Sequence, residues 1–409
     1  MPEIVDLSVP LLRLTPPQGH FFFGYYDIPA ASSNGLHLCH QVAFRDRFPT
    51  PADAATLGTI RLPAGPDDAP GAFTPFGETL AWNFQQGSML QWWPLAANTC
   101  LYNVFADGRY GACLHDVAGG GRLALPLPVA NVSQDGTKAL CINLSRVYDF
   151  RPGYGYEELP DPFADVAAPA QDGVFVMDLP SGDYRQVLSY PYLAEFLATT
   201  GELTEPRKLV VNHITWNPSG SRFMFLLRTF VTKPNEAWLT FLLTAAPDGS
   251  DVRLHPVYGM ASHYHWCNDD ELLVWAYPTA ERKGALVLLD DRNGAMPAVD
   301  REFFRADGHC SYSPDGRWIL YDSYPDGATP DWLRWLSVYS LDRREGYTLG
   351  YFRSEPTVRQ TPAGPDRSMV DLRCDLHPRW LPGGQTISFD SIHEGYRAVY
   401  WADLSGLIG

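Results

Sequence analysis

The sequence predicts an all-β fold, a seven-bladed β-propeller occupying residues 1–409 as a single domain, and three observations lead there. One unit recurs along the chain: an aromatic or apolar residue, a short turn of the Asn/Ser-Pro-Asp/Ser-Gly kind, then an apolar run of strand length. Each unit is followed by a second hairpin signal, and two hairpins make a four-stranded antiparallel sheet. The composition agrees, because 35 Gly, 35 Pro and 13% aromatic residues are distributed without an intervening linker, as many turns and apolar strands require.

In chain order the turns are Ser33-Asn34-Gly35, the Trp93 to Asn98 stretch, Val132-Ser133-Gln134-Asp135-Gly136, Trp216-Asn217-Pro218-Ser219-Gly220, Trp266-Cys267-Asn268-Asp269-Asp270, Tyr312-Ser313-Pro314-Asp315-Gly316 and Trp380-Leu381-Pro382-Gly383-Gly384. Second hairpins follow, as in Val174 to Leu179 closed by Ser181-Gly182 and Leu286 to Asp290 closed by Asn293-Gly294. Uneven spacing implies insertions: Asp149 to Gln171, rich in Pro, Tyr and acid, reads as a surface loop, and Tyr190 to Lys208 as holding a short helix. The last blade ends at Tyr400 to Leu404, and the segment Glu3 to Val9 is expected to complete it and close the ring.

The formal charge of −16 and the lack of any Lys/Arg cluster exclude sequence-independent nucleic-acid binding. No apolar run is long enough for a membrane helix, and Met1 to Leu14 carries two acids with no basic n-region, so a cytoplasmic protein is expected. Seven Cys without C-x-x-C spacing fit a reducing compartment, with Cys39, Cys100, Cys113 and Cys141 as buried thiols.

Aligning the units on their aromatic residue exposes a column. Three residues before it stand His213 (H-I-T-W), His263 (H-Y-H-W), His309 (H-C-S-Y) and His377 (H-P-R-W), at the start of the innermost strand of four consecutive blades. Neutral imidazoles gathered at an axis either ligate a divalent metal, manganese or zinc, or bind and deprotonate a polar substrate without metal. His265 is a further candidate, with Cys267 and Cys310 nearby in sequence. A second constellation is Gly19-His20-Phe21-Phe22-Phe23-Gly24-Tyr25-Tyr26-Asp27 with His37 and His40, where the polar tips of Tyr26 and His40 need a partner or a pocket. A third runs from Asn143 to Tyr156: Arg146 and Arg151 with Tyr154 and Tyr156 have the composition of a clamp for a carboxylate-bearing sugar, against the alternative of a Tyr-rich loop anchored by Arg-Asp pairs. Gln86 and Asn103, among aromatics, add amides of the kind that line carbohydrate clefts or, equally, support a Trp core.

No nucleophile elbow, H-E-x-x-H, Walker loop or dinucleotide fingerprint occurs. The S-P-D-G turns resemble TolB-like propeller repeats. The blade-start histidines resemble those of the oligogalacturonate lyases. That resemblance implies a cytoplasmic seven-bladed propeller that holds manganese with channel-facing histidines and cleaves uronate-containing oligosaccharides by β-elimination. A Tyr-, Arg- and His-lined cleft is also similar to the propeller ulvan lyases, in which Arg neutralises the uronate and zinc is structural.

The leading expectation is therefore a lyase on an acidic oligosaccharide, with Arg146 or the metal neutralising the carboxylate and His40 or Tyr154 as base. Tyr26, Gln86, Asn103, Arg151 and Tyr156 are expected to bind substrate, and His213, His263, His309 and His377 to hold the metal. Two other classes stay open: a glycoside hydrolase using carboxylates such as Asp27, Asp322 and Asp390, and a non-catalytic propeller that binds a glycan or a protein.

Overall fold

Seven sheets follow one another along the chain in the computed structural model, which describes residues 9–231, 237–324, 332–355, 360–361, 364–365 and 367–408. Blade one comprises His20–Phe22, Leu36–Val42, Ala55–Arg61 and Thr74–Thr79; blade two Gln91–Trp92, Thr99–Ala106, Arg109–Asp116 and Arg122–Leu125; blade three Asn131–Val132, Lys138–Cys141, Gly173–Asp178 and Tyr184–Ser189. Blade four comprises Leu209–Trp216, Phe223–Thr229, Thr240–Ala245 and Arg253–His255, and blade six Cys310–Tyr312, Trp318–Ser323, Leu333–Ser340 and Glu345–Arg353. Blade five has three strands, Ala261–Trp266, Glu271–Ala276 and Ala285–Asp290, because its outer edge at Ala298 carries Pro297 and makes only a single bridge to Val287.

Every expected turn opens a blade. In four of them the last glycine, Gly136, Gly220, Gly316 and Gly384, has φ between 68° and 72° and donates its N–H back to the residue three before it, at 2.8 to 3.0 Å. That left-handed geometry is the reason for a glycine there.

Blade seven joins Arg379–Trp380, Thr386–Ser391 and Ala398–Asp403 to a strand from the other end of the chain. The expected closure occurs with a different segment: Leu11–Arg13, not Glu3 to Val9, pairs antiparallel with Ala398–Asp403, and residues 3–8 lie outside the described residues. Arg13 fixes the register by its ion pair with Glu394 at 2.7 Å, and Pro10, which has no N–H to give, only accepts from Asp403 at 3.1 Å.

The first insertion departs from a surface-loop reading in its first half, while Pro162 to Gln171 is largely exposed as expected. Asn143 caps a helix, Leu144–Phe150, whose Arg146 is wholly buried, and Tyr154, Tyr156 and Asp161 beyond it are buried too. The helix expected after Tyr190 spans Tyr190–Thr199, capped by Ser189. Cys39, Cys100, Cys113 and Cys141 are buried free thiols. Among the described residues no helix is long and apolar enough to cross a membrane.

One short segment organises the axis. After the first strand of blade one, Gly24 adopts φ +128°, where a Cβ would stand 2.9 Å from the Gln86 carbonyl oxygen, and the chain turns inward. Tyr25 and Tyr26 then fill the channel. The Tyr26 hydroxyl donates to the Tyr264 carbonyl oxygen at 2.5 Å and accepts the Tyr264 N–H at 2.8 Å, tying blade one to blade five. Tyr25 Oη lies 2.9 Å from His213 Nδ1 in blade four, and Asp390 of blade seven accepts the N–H of Phe23 at 3.3 Å and that of Gly24 at 3.4 Å. Tyr26→Phe leaves one N–H and one C=O of Tyr264 without a partner in the core, and is expected to cost about 1–3 kcal/mol of stability. Denaturant titration with an unchanged slope checks it, and a variant as stable as the parent would show that the bridge is not a support.

Candidate functional site

Each column histidine sits where an innermost strand begins or bulges. His213 interrupts the register of Leu209–Trp216 with φ +53°, His263 lies in a bulge between Ala261 and Tyr264, and His377 has φ +43° just before blade seven. Left-handed backbone at a non-glycine residue costs of order 1–3 kcal/mol. Here it turns the rings out of the sheet plane and toward the axis.

The four histidines do not form one square. His263 and His309 stand with ring centroids 3.9 Å apart, and His309 and His377 4.3 Å apart. His213 is set aside by Tyr25, which stacks on it at 5.3 Å and also meets His377 edge-on at 5.3 Å. Burial is the main cause that holds His213, His309 and His377 well below the ordinary imidazole range; for His309 and His377 the next cause is a neighbouring imidazole, and for His213 it is the Arg228 guanidinium. All three are therefore neutral and able to offer a lone pair.

Carboxylates, which the sequence reading left unplaced, complete the cup. Asp322 accepts from His309 Nδ1 at 2.8 Å, and the Nε2 atoms of His309 and His377 have no partner. A carboxylate on Nδ1 fixes the tautomer that leaves Nε2 free as a ligand. Asp375 adds a third group, with ligand atoms of His309, Asp375 and His377 all within 4.8 Å of one another. Burial would raise the Asp375 pKa, but the Arg334 and Arg373 guanidiniums outweigh it and hold the group well below the usual carboxylate range. Two orphaned imidazole nitrogens beside an ionised carboxylate fit a divalent metal with mixed N/O preference, and manganese and zinc both qualify.

Beside this trio, His263 Nδ1 meets Asp307 at 2.9 Å, and His263 Nε2 faces the Tyr324 hydroxyl at 3.4 Å. Arg373 donates to the hydroxyls of Tyr154 and Tyr324, both at 3.1 Å, and to Asp371 and Asp375. Arg228 is the exception among the cup's cations: it is buried, only its Nη2 has a partner, the Ala261 carbonyl oxygen at 3.4 Å, and among the described residues no carboxylate pairs with it. Burial first, then the charge of Arg151, brings its pKa down to about 10.

Several expected site residues lie elsewhere. Arg146 spends every donor internally, on Asp161 at 2.9 Å and on the carbonyl oxygens of Leu209, Phe163, Val166 and Ala167, so it anchors the insertion. His40 is sealed beneath Gly87 and Ser88, with Ser88 Oγ 2.9 Å from Nε2 and the Ser88 N–H at 3.1 Å. Asn103 holds the Val129 backbone in both directions and donates to Tyr156 Oη at 3.0 Å, which engages both residues in the core. Tyr26 is the bridge described above. Gln86 borders a 20 Å³ cavity beside Tyr25 and His213, room for about one water. His265, Cys267 and Cys310 do not join the cup: His265 faces the other end of the channel, Cys267 is exposed, and burial pushes the Cys310 thiol up. Tyr154 and Arg151 do adjoin the cup. Tyr154 stands edge-on to His213 at 5.4 Å, and Arg151 caps the Tyr154 ring at 4.3 Å while pairing with Asp371 at 2.7 Å.

The fold and cup together define a propeller with a buried histidine-carboxylate centre at one end of its channel. Solved structures share that fold: an oligogalacturonate lyase in complex with manganese, at 16% identity, TM-score 0.66, 98% of this chain and 95% of that chain, and an oligogalacturonate lyase from Vibrio parahaemolyticus, at 13% identity, TM-score 0.62, 98% and 96%. The sequence matches no protein-family model and no curated protein.

The two arginines predict opposite outcomes. Arg146→Met strands Asp161 without its cation and is expected to cost about 3–5 kcal/mol. Arg228→Met removes a guanidinium that has no counter-charge and is expected to stabilise the fold, so urea unfolding of the two variants should move the midpoint in opposite directions. Equal losses would refute the unpaired state of Arg228.

Proposed function

We propose that this protein is a lyase that cleaves a uronate-containing oligosaccharide by β-elimination, with a divalent metal held by His309, His377 and Asp375. The observation that carries this reading is a buried Arg228 that faces no carboxylate among the described residues and donates to the Ala261 carbonyl oxygen, two residues before the carboxylate-backed His263. Likeness of fold to oligogalacturonate lyases, one of them a manganese complex, supports it.

Elimination needs the uronate charge neutralised, so that the C5 proton becomes acidic, and a base close by. Arg228 serves the first need, because its free Nε and Nη1 can fork a carboxylate. A bound divalent ion would add a Lewis acid at the same carboxylate. His263 Nε2 takes the C5 proton, and Asp307 on Nδ1 holds the ring and stabilises the imidazolium. The electron pair forms the C4–C5 double bond as the C4–O bond breaks, and the leaving oxygen takes the proton of the Tyr324 hydroxyl, which burial keeps protonated. The 3.4 Å contact between Tyr324 Oη and His263 Nε2 then returns the proton and resets both groups. Arg151 and Tyr154 orient the substrate, and His213 holds Tyr25 in place.

Hydrolysis by a pair of carboxylates is disfavoured by the pairing of the cup's acids: Asp307 with His263, Asp322 with His309, Asp371 with Arg151 and Arg373, and Asp375 with Arg334 and Arg373. Incubation with oligogalacturonate is expected to raise the ultraviolet absorbance of an unsaturated uronate, and His263→Ala to lower kcat by about 10²–10⁴-fold with a smaller change in KM. Reducing ends formed without that chromophore would establish hydrolysis instead, and glycan binding without turnover would establish a binding module. Metal analysis supplies an independent check: stoichiometric manganese or zinc is expected in the parent and is lost in His309→Ala, whereas no metal in the parent after loading would sink the metal assignment.

A further inference from the structure

The Tyr25 to Asp27 segment divides the channel, and the end away from the histidines holds the larger cavity, of about 570 Å³. Its position follows from the strands. His213 and Trp216 share one innermost strand three residues apart, about 10 Å along an extended chain, so the aromatic residues that end these strands face the opposite mouth. Trp92, Trp216 and Trp266, which close the innermost strands of blades two, four and five, line the cavity with Trp93, Asp27 and His265.

Several polar groups of this cavity are engaged, while the indole N–H groups of Trp216 and Trp266 have no partner among the described residues. Gln91 donates to the Met89 carbonyl oxygen at 3.1 Å, Asn131 accepts the Trp216 N–H at 3.0 Å, and the hydroxyls of Ser32 and Ser133 serve their own turns. Trp92 and Trp93 direct their indole N–H groups to the carbonyl oxygens of Leu36 and Gly136. Asp27 differs. Among the described residues its carboxylate meets only its own backbone N–H, and neither Lys nor Arg lines the cavity.

We propose that this second mouth is a binding site for a small organic ammonium ligand, held by indole rings and by the Asp27 carboxylate. Four tryptophans with one uncompensated acid and no competing cation make the composition of an ammonium-binding aromatic cage, since indole attracts cations more strongly than the other aromatic rings do. The volume is within the range of small-molecule sites. An anionic ligand would need a cationic side chain, and the cavity is lined by neither Lys nor Arg. Two titration facts agree with a cationic occupant. Burial raises Asp27 to about 7, a cost that an ammonium would relieve, and burial lowers His265 to about 4, so its imidazole brings no positive charge.

Choline and its neutral tert-butyl isostere are the probes, with intrinsic tryptophan fluorescence and calorimetry as readouts on the full chain. Choline is expected to give a saturable signal at neutral pH, the isostere to bind at least tenfold more weakly, and Asp27→Asn to weaken choline at least tenfold while the fold survives, since that carboxylate supports no other side chain. Trp93→Ala is expected to weaken choline as well. His309→Ala, at the other end of the channel, should leave choline binding unchanged whether or not the lyase reading holds. Equal binding of choline and the isostere, an unaffected Asp27→Asn, or saturable binding of glucose in place of choline would each overturn the proposal.

Discussion

The hydroxyl of Tyr26, clasped between the N–H and C=O of Tyr264, is the contact on which the interior of this propeller depends. A ring of blades has no intrinsic reason to fill its own axis, and an open channel would admit water to every imidazole that borders it. The clasp spans from blade one to blade five and holds Tyr25 against histidines from blades four, six and seven. Because both tyrosines are buried and hold their protons far above the usual phenol range, they act as neutral spacers that neither repel nor screen the groups beside them. The same segment that keeps the histidines dry and neutral makes two separate chambers out of one channel.

The acids of the histidine chamber each have a hydrogen-bonding partner, whereas one of its guanidiniums faces no carboxylate among the described residues. Asp375 faces Arg334 and Arg373, Asp371 faces Arg151 and Arg373, and Asp307 and Asp322 each face an imidazole. Removing charges from water costs several kcal/mol for each ion, which such pairing offsets. Arg228 bears that cost with one carbonyl oxygen, that of Ala261, and no carboxylate partner among the described residues. A group of this kind is stabilised when an anion arrives, so binding and folding make opposite demands on it. The −16 net charge of the chain disfavours anions in general, so an anion is favoured only where a guanidinium such as Arg228 can meet it directly.

Much of the fold was legible in the sequence because propeller turns are local chemistry: a left-handed glycine after Pro-Ser or Pro-Asp is fixed by neighbours within four residues. The histidine column was legible for the same reason, as a periodic position. The acids that support it were not, although a trace existed in Asp307-Gly308-His309 and Asp375-Leu376-His377, the same D-x-H spacing in consecutive blades. The partners of Arg146, Asn103, Tyr156 and His40 were not legible, because burial is decided by which distant strand covers a residue. Arg146 takes its partners from a loop and a neighbouring blade, and no local pattern announces that. Arg228 left no signal, since its importance lies in lacking a partner.

The recurring Asp on the second strand explains how the strained histidines are held. Asp322 of blade six and Asp390 of blade seven occupy matching positions in Trp318–Ser323 and Thr386–Ser391, and each reaches the start of the following blade. Asp322 accepts the N–H of His377 at 3.2 Å as well as that of His309 at 2.8 Å, and Asp390 accepts those of Phe23 and Gly24. The second device therefore orients the tyrosine plug, and the first orients His309 and His377. His377 is turned into left-handed backbone, and a charge-assisted bond to its N–H is of the size needed to offset that strain. His213 has no such acid, and its ring is held by Tyr25 instead. His309, with a carboxylate on Nδ1, keeps its Nε2 turned toward His377 and Asp375, while His213, held by a phenol, stands apart, so the partner each ring receives from its neighbour bears on which imidazoles can act together.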